Sequence, residues 1–223
     1  MEQSVTAPFE LPVDVIALIP IRNVVLFPHV VMPVTVGRVR SIASIQHALQ
    51  AKAPVGIVLQ EDPTVEEPGS DALCSIGTIA SVVRHIMSED GTHHAVCLGT
   101  ERFRITELVE GYPFIAARIQ RIPEITPDTA QVEALTLQLR ERAMEVLSLL
   151  PGVPAELAHA LQVTRAPSDL ADITASLLDT EVAERQALLE TIDIEERLHK
   201  VLQILARRIE VLRLSQEIGE RTK

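Results

Sequence analysis

Seven histidines, two cysteines and a few adjacent carboxylates are the residues of this 223-residue chain best suited to chemistry. Three of the histidines and one cysteine crowd into HIMSEDGTHHAVC (85–97), where Asp90-Gly91 is a strong hairpin signal. With Asp90-Gly91 as a two-residue turn, His85 and Met87 share a face with His94 and Val96. His93 then lies on the opposite face with Cys97. A metal ion wants three or four convergent ligands with orienting groups behind them. A convergent pair is all this pattern offers, so polar hairpin residues are expected and a metal site is not. A hydrolase built on His93 or Cys97 lacks triad spacing.

Other chemistry finds no motif. No G-x-x-x-x-G-K-[ST], H-E-x-x-H, C-x-x-C or G-x-S-x-G occurs in the sequence. Nucleotide binding is therefore not expected, and no catalytic residue is assigned. Glu66-Glu67 and Glu195-Glu196 sit in polar or helical settings, where surface charge explains them. What remains is a binding or positioning module.

Composition narrows the partners. Apolar residues make up 47% and charged residues 23%, which suits a globular chain. Aromatics are only 2%, poor material for stacking on bases, and a net charge of −11 opposes a phosphate backbone. Nucleic acid is not an expected partner. Cys74 and Cys97 read as reduced, buried thiols. The start, MEQSVTAPFE, lacks the basic region of a signal peptide. Residues 15–36 are apolar but broken by Arg22, Asn23, His29 and three prolines, unlike a membrane helix. A soluble, cytoplasmic protein is the expectation.

The elements that must position any site fall into two halves, 1–123 and 124–223. The first is β-rich. IPIRNVVLFPHVVMPVTVGR (19–38) carries Pro20, Pro28 and Pro33 in an apolar run. Proline donates no ladder hydrogen bond, so the run reads as strand, corner, strand, bent where the ladder is one-sided. Residues 39–51 have helical spacing, with Ile42, Ile45 and Leu49 on one stripe. Strands follow at 55–59, 77–87, 92–99, 103–109 and 114–122, with QEDPTVEEPGSD (60–71) as a solvated acidic loop. Short strands with one helix suggest a small mixed β-barrel.

The second half is helical. Helices are expected over 130–150, 154–163, 169–178 with Ser168 as N-cap, and 181–190 with Thr180 as N-cap. Asp193-Ile-Glu-Glu196 has capping-box spacing and opens a long helix over 192–220, with Leu198, Leu202, Leu205, Ile209 and Leu212 as its seam. The helical end, closing on Arg-Thr-Lys, reads as a cut inside a longer polypeptide.

Three segments in order carry a family resemblance. ELPVDVIALIPIRNVVLFPHVVMPVTVGR (10–38) resembles the opening of the N-terminal domain of the Lon ATP-dependent proteases, through Pro20, Ile21, Arg22, Asn23, Phe27, Pro28, Pro33, Gly37 and Arg38. GTERFRITELVEGYPFIAARI (99–119) and LLETIDIEERLHKVLQILARRIEVLRL (188–214) resemble its later strands and its long helix. Asn23 stands where aspartate is common in that family, and several residues are inserted before Ile19-Pro20.

The resemblance implies an α+β fold, a PUA-like mixed β-barrel followed by a helical bundle ending in a long helix. It implies a non-catalytic part of an ATP-dependent serine protease that selects substrates. ATP, magnesium and the peptidase would belong to modules outside these residues. The partners implied are unfolded or damaged proteins, the rest of a Lon chain and, in the full-length protein, a homo-oligomer (a hexamer). Unfolded clients expose apolar side chains, so the expected contacts are Phe27, Pro28, Val31, Met32, Ile86 and Met87. A free-standing partner-binding protein of the same domain family and a purely structural oligomerisation module are the competing readings.

Overall fold

The structure is a computed structural model that describes residues 9–221. It divides into two compact units, one ending at Pro123 and the other beginning at Glu124.

The first unit holds β1 (Val15–Ile21), β2 (Val31–Val36), α1 (Val39–Ala51), β3 (Val55–Leu59), β4 (Ile76–Met87), β5 (His93–Val109) and β6 (Ile115–Ile122). The sheet runs β2-β5-β4-β3-β1-β6, and a further β5–β6 pairing closes five of the strands into a ring. β1 pairs β3 in parallel and every other pairing is antiparallel, so the barrel is mixed. All seven residues of β1 are buried, as its continuous apolar run requires.

Two of the prolines sit where the ladder is one-sided. β6 pairs β1 only from Val15 to Leu18, so Pro20 has a partner strand on the β3 side alone. Pro33 lies in β2, which among the described residues is an edge strand bonded only to β5. Pro28 does something else. The Val30 N–H donates to the Phe27 carbonyl at 3.3 Å and His29 has φ +61°, matching a type II turn with proline at its second position.

β5 corrects the expectation of two strands at 92–99 and 103–109, for it is one strand of 17 residues. Gly99, expected to end a strand, sits mid-strand because another backbone lies against it. A Cβ there would come within 2.3 Å of the Phe27 carbonyl oxygen. The His29 N–H donates to the Gly99 carbonyl and the Gly99 N–H to the Val30 carbonyl, pinning the corner to the barrel.

α1 covers the expected residues with a different face inward. Ser41, Ser44, Ile45, His47 and Ala48 are buried while Leu49 is 41% exposed. Small residues let the helix lie close on β1, where the Ser44 hydroxyl reaches the Leu18 carbonyl at 2.7 Å.

The second unit holds α2 (Ala130–Leu149), α3 (Ala155–Val163), α4 (Pro167–Leu177), α5 (Val182–Glu190) and α6 (Ile194–Arg221). Asp193 caps α6 as expected, accepting from the Glu196 N–H at 2.8 Å. The other two caps differ. α4 starts at Pro167, whose fixed φ and missing N–H suit the first helical position, so Ser168 falls inside the helix. Glu181 occupies the N-cap of α5 without a side-chain cap, and the Thr180 hydroxyl is buried without a partner among the described residues. α6 buries Leu198, Val201, Leu205 and Ile209, and packs along α2 and α4.

Candidate functional site

Beyond the ring, the second half of β4 and the first half of β5 extend as a hairpin arm, with β2 along its edge. Register fixes which side chains share a face. Val31 opposes Leu98, Pro33 opposes Val96, and Thr35 opposes His94; on the other side of β5, Arg84 opposes Val96 and Ile86 opposes His94. These residues form the outer face. The alternate set, Met32, Val34, Val36, Ala95 and Cys97, turns inward to the barrel core.

This sorts the six expected contact residues. Val31 (59% exposed) and Ile86 (53% exposed) lie on the outer face, linked by Pro33, Val96 and Leu98, which sequence reasoning missed. Two-residue alternation through 94, 96 and 98 is the signal that could have found them. Val83, 56% exposed, projects at a register shift between Val82 and Arg84. Met32 packs partly against the core cluster instead. Met87 belongs to the inward row beside His93, yet is 63% exposed at the arm's tip.

Phe27 and Pro28 are a correction. Phe27 is 0% exposed and Pro28 is buried, so neither presents a surface to a client. The turn that sharpens the corner also folds it inward, with the Phe27 carbonyl laid on Gly99.

The hairpin is a second correction. The Ser88 N–H donates to the Thr92 carbonyl, the Gly91 N–H donates to the Ser88 carbonyl, and Gly91 has φ +82°. That is a three-residue loop with glycine in the left-handed position, and it shifts the register by one residue. Met87 therefore opposes His93, and His85 shares a face with His93 rather than His94. His85 Nε2 lies 2.8 Å from His93 Nδ1. His94 instead bonds Thr35 on the outer face at 3.1 Å. Burial, and then the charge of His85, lower the His93 pKa. Among the described residues, no group of three or more His, Cys, Asp or Glu side chains is placed to hold a metal ion.

Cys97 is 0% exposed, and burial pushes its thiol up to about 11, so the nucleophilic thiolate is scarce at neutral pH. Both cysteines are buried and neither forms a disulfide among the described residues.

A groove of about 380 Å³ lies between the end of β1 and β2, walled by Pro20, Val24, Met32 and Val34, with Arg22 and Arg38 on its rim. Arg38 Nη2 donates to Gln60 Oε1 at 2.7 Å, and Arg22 Nη2 donates to the Val65 carbonyl at 3.1 Å. These bonds tie down the loop 60–71, expected to be merely solvated, and Pro68 within it is buried. Burial, and next the charge of Arg22, hold the Arg38 pKa below its usual value, while Glu67 and Glu66 act the other way.

The barrel, its arm and the long helix can be compared with known proteins. The family model of the ATP-dependent protease La (LON) substrate-binding domain matches residues 15–207. The chain belongs to the LON substrate-binding domain family. Relatives of this LON domain include the Lon protease of Paraburkholderia phytofirmans, 49% identical over 214 residues, covering 96% of this chain and 27% of that protein. The Lon protease of Phenylobacterium zucineum is 45% identical over 223 residues, covering 100% of this chain and 28% of that protein. The chain thus spans about a quarter of the length of these relatives. The N-terminal domain of Mycobacterium avium complex Lon protease shares the fold, with TM-score 0.73 at 21% identity, covering 86% of this chain and 98% of that one. A Lon N-terminal domain protein from Xanthomonas campestris is similar, with TM-score 0.60 at 17% identity, covering 85% and 97%. No helix among the described residues is long and apolar enough to cross a membrane.

Proposed function

We propose that this LON domain is the non-catalytic client-recognition part of an ATP-dependent serine protease, acting in the cytoplasm. It binds unfolded or damaged proteins through the outer face of its hairpin arm and presents them to ATPase and peptidase modules. ATP and magnesium belong to those modules, and the full-length protein assembles as a homo-oligomer, a hexamer.

The observation that supports this reading is the apolar outer face. Val31 and Ile86 are each more than half exposed on a sheet face that also carries Pro33, Val96 and Leu98, with Thr35, His94 and Arg84 as its polar members. Water-exposed apolar side chains on a fixed, extended surface suit a client that is apolar and unfolded, not one particular folded partner. Burying one such side chain against a client contributes about 1–3 kcal/mol.

The test is binding of a labelled, permanently unfolded client to the 223-residue chain and to V31S and I86S variants. Each variant should bind several-fold more weakly while melting near the parent temperature, and 0.5 M salt should leave the parent's binding largely intact. Unchanged affinity in both variants would overturn the assignment to this face.

A second reading, an assembly module, draws on the exposed Val211, Leu214 and Ile218 of α6, spaced along one helix face. Sedimentation of the chain with and without L214E tests it, a monomer in both cases counting against that role.

A further inference from the structure

We propose that the groove between the end of β1 and β2 is a separate binding site, which receives the C-terminal carboxylate of an extended polypeptide at Arg38. It rests on the reading that this domain binds unfolded chains, and adds a feature of the client that the outer face does not read.

Consecutive residues from Met32 to Arg38 line the groove, so it follows the backbone of β2 rather than one of its faces. Among the described residues, the outer edge of that strand is unpaired. The Val30 carbonyl accepts from the Gly99 N–H, so Val30 and the alternate residues Met32, Val34 and Val36 bond toward β5. Val31, Pro33 and Thr35 then turn their backbone groups outward, where the missing N–H of Pro33 breaks no bond with β5. The edge offers three carbonyls and two N–H groups, enough to guide an added strand.

At the β2 end of the groove the chemistry becomes cationic. Arg38 Nη2 is engaged by Gln60, but Nη1 is buried and has no acceptor among the described residues. Arg22 adds a second positive charge on the rim. Glu66 and Glu67 act on Arg38 electrostatically, yet both are exposed and neither caps Nη1. Arg38 is also the N-cap of α1, with no side-chain cap and no acidic residue in the first turn. A buried guanidinium donor without an acceptor, beside a second arginine, calls for an anionic oxygen.

Strand geometry chooses the anion. A peptide running parallel to β2 carries its C-terminus toward Gly37 and Arg38, in line with the ladder. Aspartate or glutamate side chains project off the pleat instead of along it. In a chain of net charge −11, two arginines beside an apolar trough complement an apolar tail ending in a free carboxylate better than an acidic segment.

The experiment is fluorescence anisotropy with an N-terminally labelled apolar decapeptide, as free acid and as C-terminal amide, on the 223-residue chain. The acid should bind about tenfold more tightly than the amide. R38Q should bring the acid down to the amide's affinity, and R22Q should weaken the acid less. The acid–amide comparison on the unaltered chain needs no variant to fold. Equal binding of acid and amide would overturn this proposal and leave client recognition standing; no binding of either would overturn both. An amidated peptide with an internal glutamate that matches the free acid would overturn the assignment to the chain terminus.

Discussion

Arg197 Nη1 lies 3.4 Å from Asp172 Oδ1, and the two side chains are 0% and 1% exposed. The guanidinium also meets Glu124 at 3.2 Å and donates to the Thr191 and Ile192 carbonyls. One side chain of α6 thereby fastens α4, the turn before α6 and the first residue of the helical unit.

Removing Asp172 takes away the buried carboxylate and leaves Arg197 with the part-exposed Glu124. Asp172→Ala should therefore cost about 3–5 kcal/mol in urea unfolding. Replacing both residues, as Asp172→Leu with Arg197→Met, should cost less than the sum of the single changes. Additive losses would show that the two charges do not act as a pair.

The His85–His93 contact makes a pH prediction. One ring must donate and the other accept, so the pair needs at least one neutral imidazole. The folded-state pKa of His93 is lowered, by burial first and the charge of His85 second. A depressed histidine pKa contributes no penalty above the unfolded value near 6.5 and loses stability as pH falls below it toward the folded pKa. His47, lowered by burial, adds a contribution of the same sign. The melting temperature should fall between pH 7 and pH 5, and His93→Gln should make that fall shallower. An equal slope in the variant would remove the pair from the account.

Phe27 separates packing from recognition. At 0% exposure, its truncation to alanine should cost about 3–5 kcal/mol of stability. Near-native temperature-matched samples should still bind an unfolded client with the parent's affinity, unlike V31S or I86S. A loss of affinity in folded Phe27→Ala would mean that the corner opens to meet clients.

Much of this architecture is legible in short range. The helical period at 39–51 and the apolar run at 55–59 match α1 and β3 residue for residue. Pro20 and Pro33 announce one-sided ladders, because a missing N–H has the same consequence wherever it sits. Long-range causes are not legible. Gly99 looks like a break until the Phe27 carbonyl is seen against it. Phe27 and Pro28 look like surface until their turn is seen folding inward. The outer face was half visible, through Val31 and Ile86, but assembling it needed the register of β2, β5 and β4. One residue in the hairpin loop exchanged His94 for His93 as the partner of His85.

The corner at Phe27 can be tested from both of its sides. His29 holds φ +61° in the turn, a region where a side chain costs free energy and glycine does not. His29→Gly should therefore be neutral or stabilising, by up to about 1 kcal/mol once the added freedom of the unfolded chain is subtracted. Gly99→Ala acts on the opposite wall, where the new methyl group would meet the Phe27 carbonyl oxygen at 2.3 Å and the Thr78 methyl at 3.0 Å. Backbone cannot yield as a flexible side chain does, and the hydrogen bonds between Gly99, His29 and Val30 would have to stretch. A loss of about 1–3 kcal/mol is expected, read from urea melts. If Gly99→Ala melts like the parent, the corner is not pinned to β5 in solution. Phe27 would then be free to leave the core, and the outer face would have to share client binding with it.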